Sequence, residues 1–258
     1  MQAESSSDDV VLCEERDAVA LLTFNRPQVL NAMNAALWTE LEQRLARLID
    51  RDQIKVIVFT GAGRAFSSGA DLKESQKRTT EEYREYLERL QSISKILIEC
   101  PKPTIAAING YAIGSGYELA LACDLRLIAE DAKIGSPEAK VESSVTGGGF
   151  KLLHDLVGPA RAKQLLFTGE YVSAYGAFEI GLVNEVLPAV SLMDRTWELA
   201  QQIANNSALS IRLMKRGMAL AAEGASLDQL MEYEVDACLQ AVGTEERREK
   251  LKQFHARK

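Results

Sequence analysis

The sequence predicts an α/β protein with a helical C-terminal region, and three observations carry that reading. The stretch "IKVIVFTG" (54–61) is apolar, β-branched and closed by a glycine, as a buried strand is. A second buried strand with a glycine-rich exit reads from "PKPTIAAINGYAIGSG" (101–116), with a charged amphipathic segment (80–99) between the two. Strands and helices alternate early, whereas helical patterns dominate late, so a sheet with covering helices gives way to a helical extension.

The elements follow in order. Residues 1–9, "MQAESSSDD", are polar and acidic and read as a disordered tail. "VVLCEERDAVALLTF" (10–24) sets two β-rich stretches around a charged turn, which predicts a hairpin. "NRPQVLNAMN" (25–34) breaks the strand, and Asn34 is placed to cap a helix from Ala35 to about Asp50. Leu37, Leu41, Leu45 and Leu48 form an apolar stripe along that helix. After the strand at 54–61 comes a Gly/Ser-rich loop, "AGRAFSSGADLKE" (62–74). "ELALACDLRLIAE" (118–130) predicts a short helix running into a third strand. Helices are then expected at 158–169 and 173–181, a short strand at 182–188, and helices near 192–205, 208–223 and 226–257. No period repeats at solenoid lengths.

With 258 residues, 47% of them hydrophobic, the chain fills a core that needs no disulfide or metal staple. A net charge of −7 argues against a nucleic-acid or membrane-docking surface. Cys13, Cys100, Cys123 and Cys238 lie far apart with no CxxC pair and read as structural thiols in a reducing compartment. No run reaches the ~20 apolar residues of a membrane span, and the first residues resemble no signal or transit peptide, so a soluble cytoplasmic protein is expected.

Chemistry is expected at the two strand-exit loops, where α/β proteins place ligands. In "FTGAGRAF" (59–66), Gly61 and Gly63 begin a dinucleotide fingerprint, but Phe66 stands where its third glycine belongs. No Gly-Lys-Ser/Thr closes a P-loop, so both nucleotide readings fail. Such loops serve as ordinary turns, or they turn peptide N–H groups toward a ligand carbonyl; one donor from each would make an oxyanion hole. Glu118, which follows "GSGY", admits two readings as well. It is a first-turn acid favoured by the helix dipole, or a carboxyl whose apolar company raises its pKa toward proton-transfer range. Glu138, in "GSPE", is by itself an ordinary loop carboxylate.

Taken together the segments say more. "NRPQVLNAMN", "VIVFTGAGRAFSSGADLKE", "KPTIAAINGYAIGSGYELALACDLRLIAEDAKIGSPE" and "LLFTGEYVSAYGAFEIGLVNEVLP" occur in this order. The chain thereby resembles the crotonase (enoyl-CoA hydratase/isomerase) superfamily over roughly residues 10–190. The resemblance implies a crotonase-type spiral of ββα turns (10–195), then a helical C-terminal oligomerisation region (196–258), assembled as a homotrimer or dimer of trimers. It implies oxyanion-hole amides at Ala70 and Ser115, with catalytic carboxylates at Glu118 and Glu138. It also implies a coenzyme A grip at "ADLKE", including Asp71, Leu72 and Lys73, with further substrate contacts at Arg26, Ala32, Ser68, Gly114, Thr146 and Gly147. Arg257 and Lys258 correspond loosely to a terminal basic element that approaches coenzyme A phosphates. No metal and no cofactor beyond the coenzyme A thioester substrate is implied.

Three departures from the family pattern bear on the site. Ser115 stands where glycine is usual, which keeps the backbone N–H but adds a Cβ that crowds the thioester and restricts φ. In "VESSVTGGGF" (141–150), Glu142 replaces a glycine and Val145-Thr146 replaces Pro-Gly, while Gly147, Gly148 and Gly149 retain flexibility; a remodelled acyl pocket is expected. Glu142 reads as a solvated charge, or as a third acid near the reacting carbons. The two histidines, His154 and His255, sit in no signature loop, which disfavours branches using a histidine base.

The expected reaction is hydration of a 2-enoyl-CoA, or its reverse. Two N–H donors stabilise the thioester enolate while one glutamate takes a proton from water and the other delivers one to Cα. Double-bond isomerisation, which needs one carboxylate (Glu138), is the near alternative. Thioester hydrolysis or C–C cleavage in the remodelled pocket, and a non-catalytic homologue, are the others.

Overall fold

The computed structural model describes residues 9–256. The expected disordered tail lies, apart from Asp9, outside the described residues, as do Arg257 and Lys258. Asp9 pairs with Arg44 at 2.8 Å and accepts a hydrogen bond from the Asn25 side chain on its backbone carbonyl.

Strands β1 (Val11–Arg16) and β2 (Val19–Phe24) form the expected hairpin, paired from Val11↔Phe24 to Arg16↔Val19 around Asp17. Helix α1 (Ala35–Ile49) starts where predicted: the Asn34 side chain accepts from the Leu37 N–H, and Leu37, Leu41, Leu45 and Leu48 are all buried with Trp38. The chain then steps through β3 (Val56–Gly61), β4 (Ala65–Ser67), α2 (Leu72–Ser75) and α3 (Thr80–Glu99), the last opened by a Thr79/Glu82 capping box. Next come β5 (Thr104–Ile108), β6 (Tyr111–Ile113) and α4 (Ser115–Ala122), followed by β7 (Leu125–Ala129), β8 (Lys133–Gly135), a 3-10 turn at Glu138–Val141 and α5 (Gly149–Thr168). Short elements β9 (Val172–Ser173), α6 (Ala174–Glu179) and β10 (Glu185–Leu187) precede helices α7 (Leu192–Ala204), α8 (Ala208–Ala222), α9 (Leu227–Val242) and α10 (Glu245–Ala256).

Two sheets organise these elements. The larger runs β1-β2-β3-β5-β7-β10 and is parallel from β2 onward; the smaller runs β4-β6-β8-β9. Each pair β3–β4, β5–β6 and β7–β8 carries the chain from the first sheet to the second, and helix follows each pair. This is the expected spiral of ββα turns. It delivers the ends of β4, β6 and β8 side by side, which brings their exit loops together.

Some boundaries differ from the sequence reading, each for a physical reason. Residues 101–116 form two strands, because the chain must turn at Asn109-Gly110 to change sheets. The Asn109 side chain bonds the Gly61 N–H and the carbonyls of Gly61 and Gly63, and a Cβ on Gly110 would stand 2.2 Å from the Arg64 carbonyl oxygen. Helix α5 begins nine residues before the expected 158 and kinks at Gly158-Pro159, where Gly158 has φ 75°. The single helix expected at 226–257 breaks at Gly243. Strands β4, β6, β8 and β9, of two or three residues each, are too short to show a periodicity.

Arg126 in β7 locks the inner helix in place. It is 4% exposed, and its guanidinium donates to the backbone carbonyls of Leu182 (2.9 Å), Cys123 (2.6 Å) and Ala120 (3.2 Å), the last two at the C-terminal end of α4. A cation there meets the negative end of the helix dipole. Replacing Arg126 by Met strands those carbonyls without water. We expect Arg126→Met to lower unfolding free energy by about 2–4 kcal/mol in denaturant titrations; an unchanged midpoint would show the carbonyls satisfied elsewhere.

Candidate active site

Helix α4 begins at the exit of β6 through Gly114, whose φ of 52° and ψ of −122° suit a residue without Cβ. The positive-φ demand falls on Gly114, so Ser115 begins the helix without the restriction that a side chain was expected to bring. Its hydroxyl lies 3.4 Å from the hydroxyl of Tyr86 on α3. As the first residue of α4, Ser115 has an N–H that precedes the intrahelical ladder.

One turn further on, Glu118 is 3% exposed. Its Oε1 accepts from the Thr146 N–H at 2.5 Å and its Oε2 from the Thr146 hydroxyl at 2.9 Å. Burial raises its pKa from 4.5 to about 7; the two Thr146 hydrogen bonds pull it down, and the charge of Glu138 pushes it up. Burial, more than repulsion between the two carboxylates, holds the proton. Thr146, expected as a substrate contact, is therefore the hydrogen-bond partner of Glu118.

The other expected amide, that of Ala70, follows Gly69 (φ 94°), at which a Cβ would stand 2.8 Å from the Ile113 carbonyl oxygen and 3.4 Å from the Ser115 nitrogen. The two loops touch. Ala70 pairs with Met33 through a parallel bridge that engages the Gly69 carbonyl (2.8 Å) and the Asp71 N–H (3.2 Å), a pattern that does not use the Ala70 N–H. Glu138, half-buried at the exit of β8, sits against the same turn: a Cβ on Gly114 would stand 2.8 Å from its Oε1. Its Oε2 accepts a hydrogen bond from the Ser136 hydroxyl.

The glycine run after β8 packs over Glu118. Gly147 has φ 57°, and a Cβ there would stand 2.7 Å from Ser94 Oγ and 3.0 Å from Leu90 Cδ2 on α3, so glycine alone lets this loop present Thr146 to the carboxylate. Glu142 takes the left-handed conformation (φ 53°) that glycine normally supplies, and its side chain is exposed. That is the solvated reading of Glu142. His154 is likewise exposed, beside Asp155.

Residues expected to contact the substrate thus divide. Ala70, Gly114, Ser115, Glu118, Glu138, Thr146 and Gly147 gather around one turn. Arg26, Ala32 and Asp71 form a bracket beside it: Arg26 donates to the Asp71 carboxylate at 2.9 Å and to the Ala32 carbonyl. Asp71 also caps α2, and the Arg26 guanidinium is among the influences holding its pKa below the ordinary carboxylate range against burial. Ser68 donates its N–H to the Leu30 carbonyl, while Leu72 and Lys73 are exposed on α2. Sequence reasoning missed Ser136, although it precedes Glu138 by only two residues. It also missed Tyr86, for which a separation of 29 positions from Ser115 left no signal.

Comparison with known proteins finds similarity along most of the chain. The family described as Enoyl-CoA hydratase/isomerase matches residues 14–258. A crotonyl-CoA hydratase of Syntrophomonas wolfei is 35% identical, over 95% of this chain and 94% of its own. A short-chain-enoyl-CoA hydratase of Clostridium acetobutylicum is 32% identical, over 95% and 94%. The crystal structure of an enoyl-CoA hydratase from Bacillus anthracis superposes with a TM-score of 0.94 at 33% identity, over 96% of this chain and 97% of that one.

The protonation of Glu118 has a stability consequence. Between pH 4.5 and about 7 the folded protein holds a proton that the unfolded chain has released. Stability therefore falls as pH rises through that window, by on the order of 3 kcal/mol. Glu118→Gln, a neutral isostere, should match the parent protein near pH 5 and exceed its stability at pH 8 in urea unfolding. An equal difference at both pH values would return the carboxyl to an ordinary pKa.

Proposed function

Since the chain belongs to the enoyl-CoA hydratase/isomerase family, we propose that it adds water across the double bond of a 2-enoyl-CoA thioester and catalyses the reverse dehydration. The observation that carries this reading is the pair of carboxylates about one glycine turn: Glu118 one helical turn beyond Gly114, and Glu138 against its Cα.

The thioester carbonyl receives the N–H groups of Ala70 and Ser115. As the water oxygen bonds to Cβ, the π electrons move to Cα and onto the thioester oxygen, and two preorganised donors stabilise the charge that develops there. One carboxylate takes the proton that the water loses, and the other carboxyl gives its proton to Cα. A buried acid with a pKa near 7 suits this exchange, since both of its protonation states are accessible near neutral pH. Coenzyme A enters as part of the substrate. Exposed Lys73 beside the Arg26–Asp71 bracket offers charge for its phosphates.

We place assembly in the same proposal. Helices α8 and α9 bury none of their residues within the chain, and Met214, Met218, Val235 and Leu239 face solvent on them. That apolar surface supports a homotrimer or dimer of trimers built through the C-terminal helices. The four cysteines stand as free thiols, which supports a reducing, cytoplasmic setting.

Purified protein should consume crotonyl-CoA with loss of the enoyl absorbance and gain of one water by mass. Glu118→Gln and Glu138→Gln should each lower kcat by roughly 10²–10⁴ with little change in KM. Turnover of a 3-enoyl-CoA alone would reassign the reaction to isomerisation. Full activity in both variants would remove the glutamates from the chemistry.

A further inference from the structure

The reaction proposed above uses the Ser115 N–H and leaves the Ser115 hydroxyl without a task. Nor does the helix need it: Gly114 is the N-cap, and no side chain caps α4. Yet Ser115 is 6% exposed, and a buried hydroxyl is rarely kept without a partner. Its neighbour is the phenol of Tyr86, 8% exposed, with the two oxygens 3.4 Å apart.

Tyr86 is itself clamped. The Arg78 guanidinium lies 3.9 Å from the centroid of its ring, and Arg78 is held in turn by Glu74 at 2.8 Å. The Tyr83 ring stacks alongside at 6.1 Å between centroids. A cation over the aromatic face draws electron density from the ring and makes the phenol a better donor. A phenol is protonated at neutral pH even at its ordinary pKa, and burial raises that pKa further.

The Ser115 amide needs such a hold. Its plane is set on one side by ψ of Gly114, a residue whose backbone resists rotation least. A donor aimed at an oxyanion must be preorganised, or it reorganises at the cost of rate. We propose that Tyr86, braced by Arg78, is a positioning residue: its hydroxyl anchors the Ser115 side chain and thereby aims the Ser115 N–H at the thioester oxygen. This rests on the reading of Ser115 as an oxyanion donor, and Tyr86 acts through it without touching substrate.

The test is a double-mutant cycle of Tyr86→Phe, Ser115→Ala and the two combined, beside the parent. It is read by kcat and KM on crotonyl-CoA, by thermal midpoint, and by the infrared carbonyl stretch of bound ¹³C-labelled butanoyl-CoA. Each single variant should lose about tenfold in kcat, part of the ~10²–10³ that loss of a whole donor costs, with KM within about twofold. The double variant should lose no more than either single, because both changes cut the same link. The carbonyl stretch, shifted to lower frequency in the parent, should relax equally in all three variants. A hundredfold loss in the double variant, a fall in thermal midpoint that accounts for the loss, or an unshifted Tyr86→Phe would overturn the positioning role. If the parent polarises the carbonyl but hydrates nothing, the hydratase reading fails while the infrared comparison still decides the role of Tyr86.

Discussion

An eight-residue helix buried at every position is the constraint around which the molecule is arranged. Inside a protein, the peptide groups that a helix leaves unpaired at its ends must find partners or remain costly. At the C-terminal end of α4 the partner is Arg126, a buried cation that serves carbonyls from α4 and from the segment before β10. At the other end the chain enters through a glycine turn pressed against a second glycine loop. There the leading N–H precedes the intrahelical ladder, and the proposed reaction gives it to the thioester oxygen. The two sheets exist, in this sense, to wrap one short helix and to bring three strand exits to its start.

The burial that orders α4 also prepares its acid. Among the described residues, both oxygens of Glu118 are met by Thr146 alone, and the charge that acts on them is that of Glu138. Desolvation then outweighs two hydrogen bonds and lifts the pKa to about 7. The same displacement that makes the group useful near neutrality in the proposed reaction costs folding energy as it ionises, a common relation between active sites and stability. Glu138 differs in kind: half-buried, bonded to the neighbouring Ser136 and resting on the bare Cα of Gly114. Two carboxyl groups thus face one turn from unlike environments, the arrangement from which separate acid and base roles arise.

The two amide-bearing loops are held by different physics. Ala70 belongs to a segment tied down by charge and backbone pairing: the Arg26–Asp71 ion pair, the Arg26 bond to the Ala32 carbonyl and the Met33 bridge. Ser115 is held by helix packing and, in the inference drawn above, by a phenol on α3. Glycine is required where a backbone oxygen would meet a Cβ, as at Gly69 and Gly110, and where a positive φ coincides with a crowding side chain, as at Gly114 and Gly147. Glu142 shows the contrary case: an exposed αL residue with a side chain, tolerated because solvent receives the carboxylate.

Local chemistry and apolar period determined much by themselves. Asn34 and the leucine stripe marked α1 from cap to last turn, and "IKVIVFTG" marked a strand buried throughout, whereas the two glutamates and the two amide positions were implied only by the family resemblance. The helix and the strand are legible because each depends on residues within a few positions of one another. Tertiary structure alone decided the rest. Whether 101–116 is one strand or two depends on Arg64 crowding the turn at Gly110 and on the Gly61 N–H bonding the Asn109 side chain. That Thr146 bonds Glu118, that Ser115 meets Tyr86, and that Asp71 is spent on Arg26 are contacts across 28 to 45 residues. The pKa of Glu118 belongs here as well, for desolvation is a property of everything packed around a group and of nothing in its own segment.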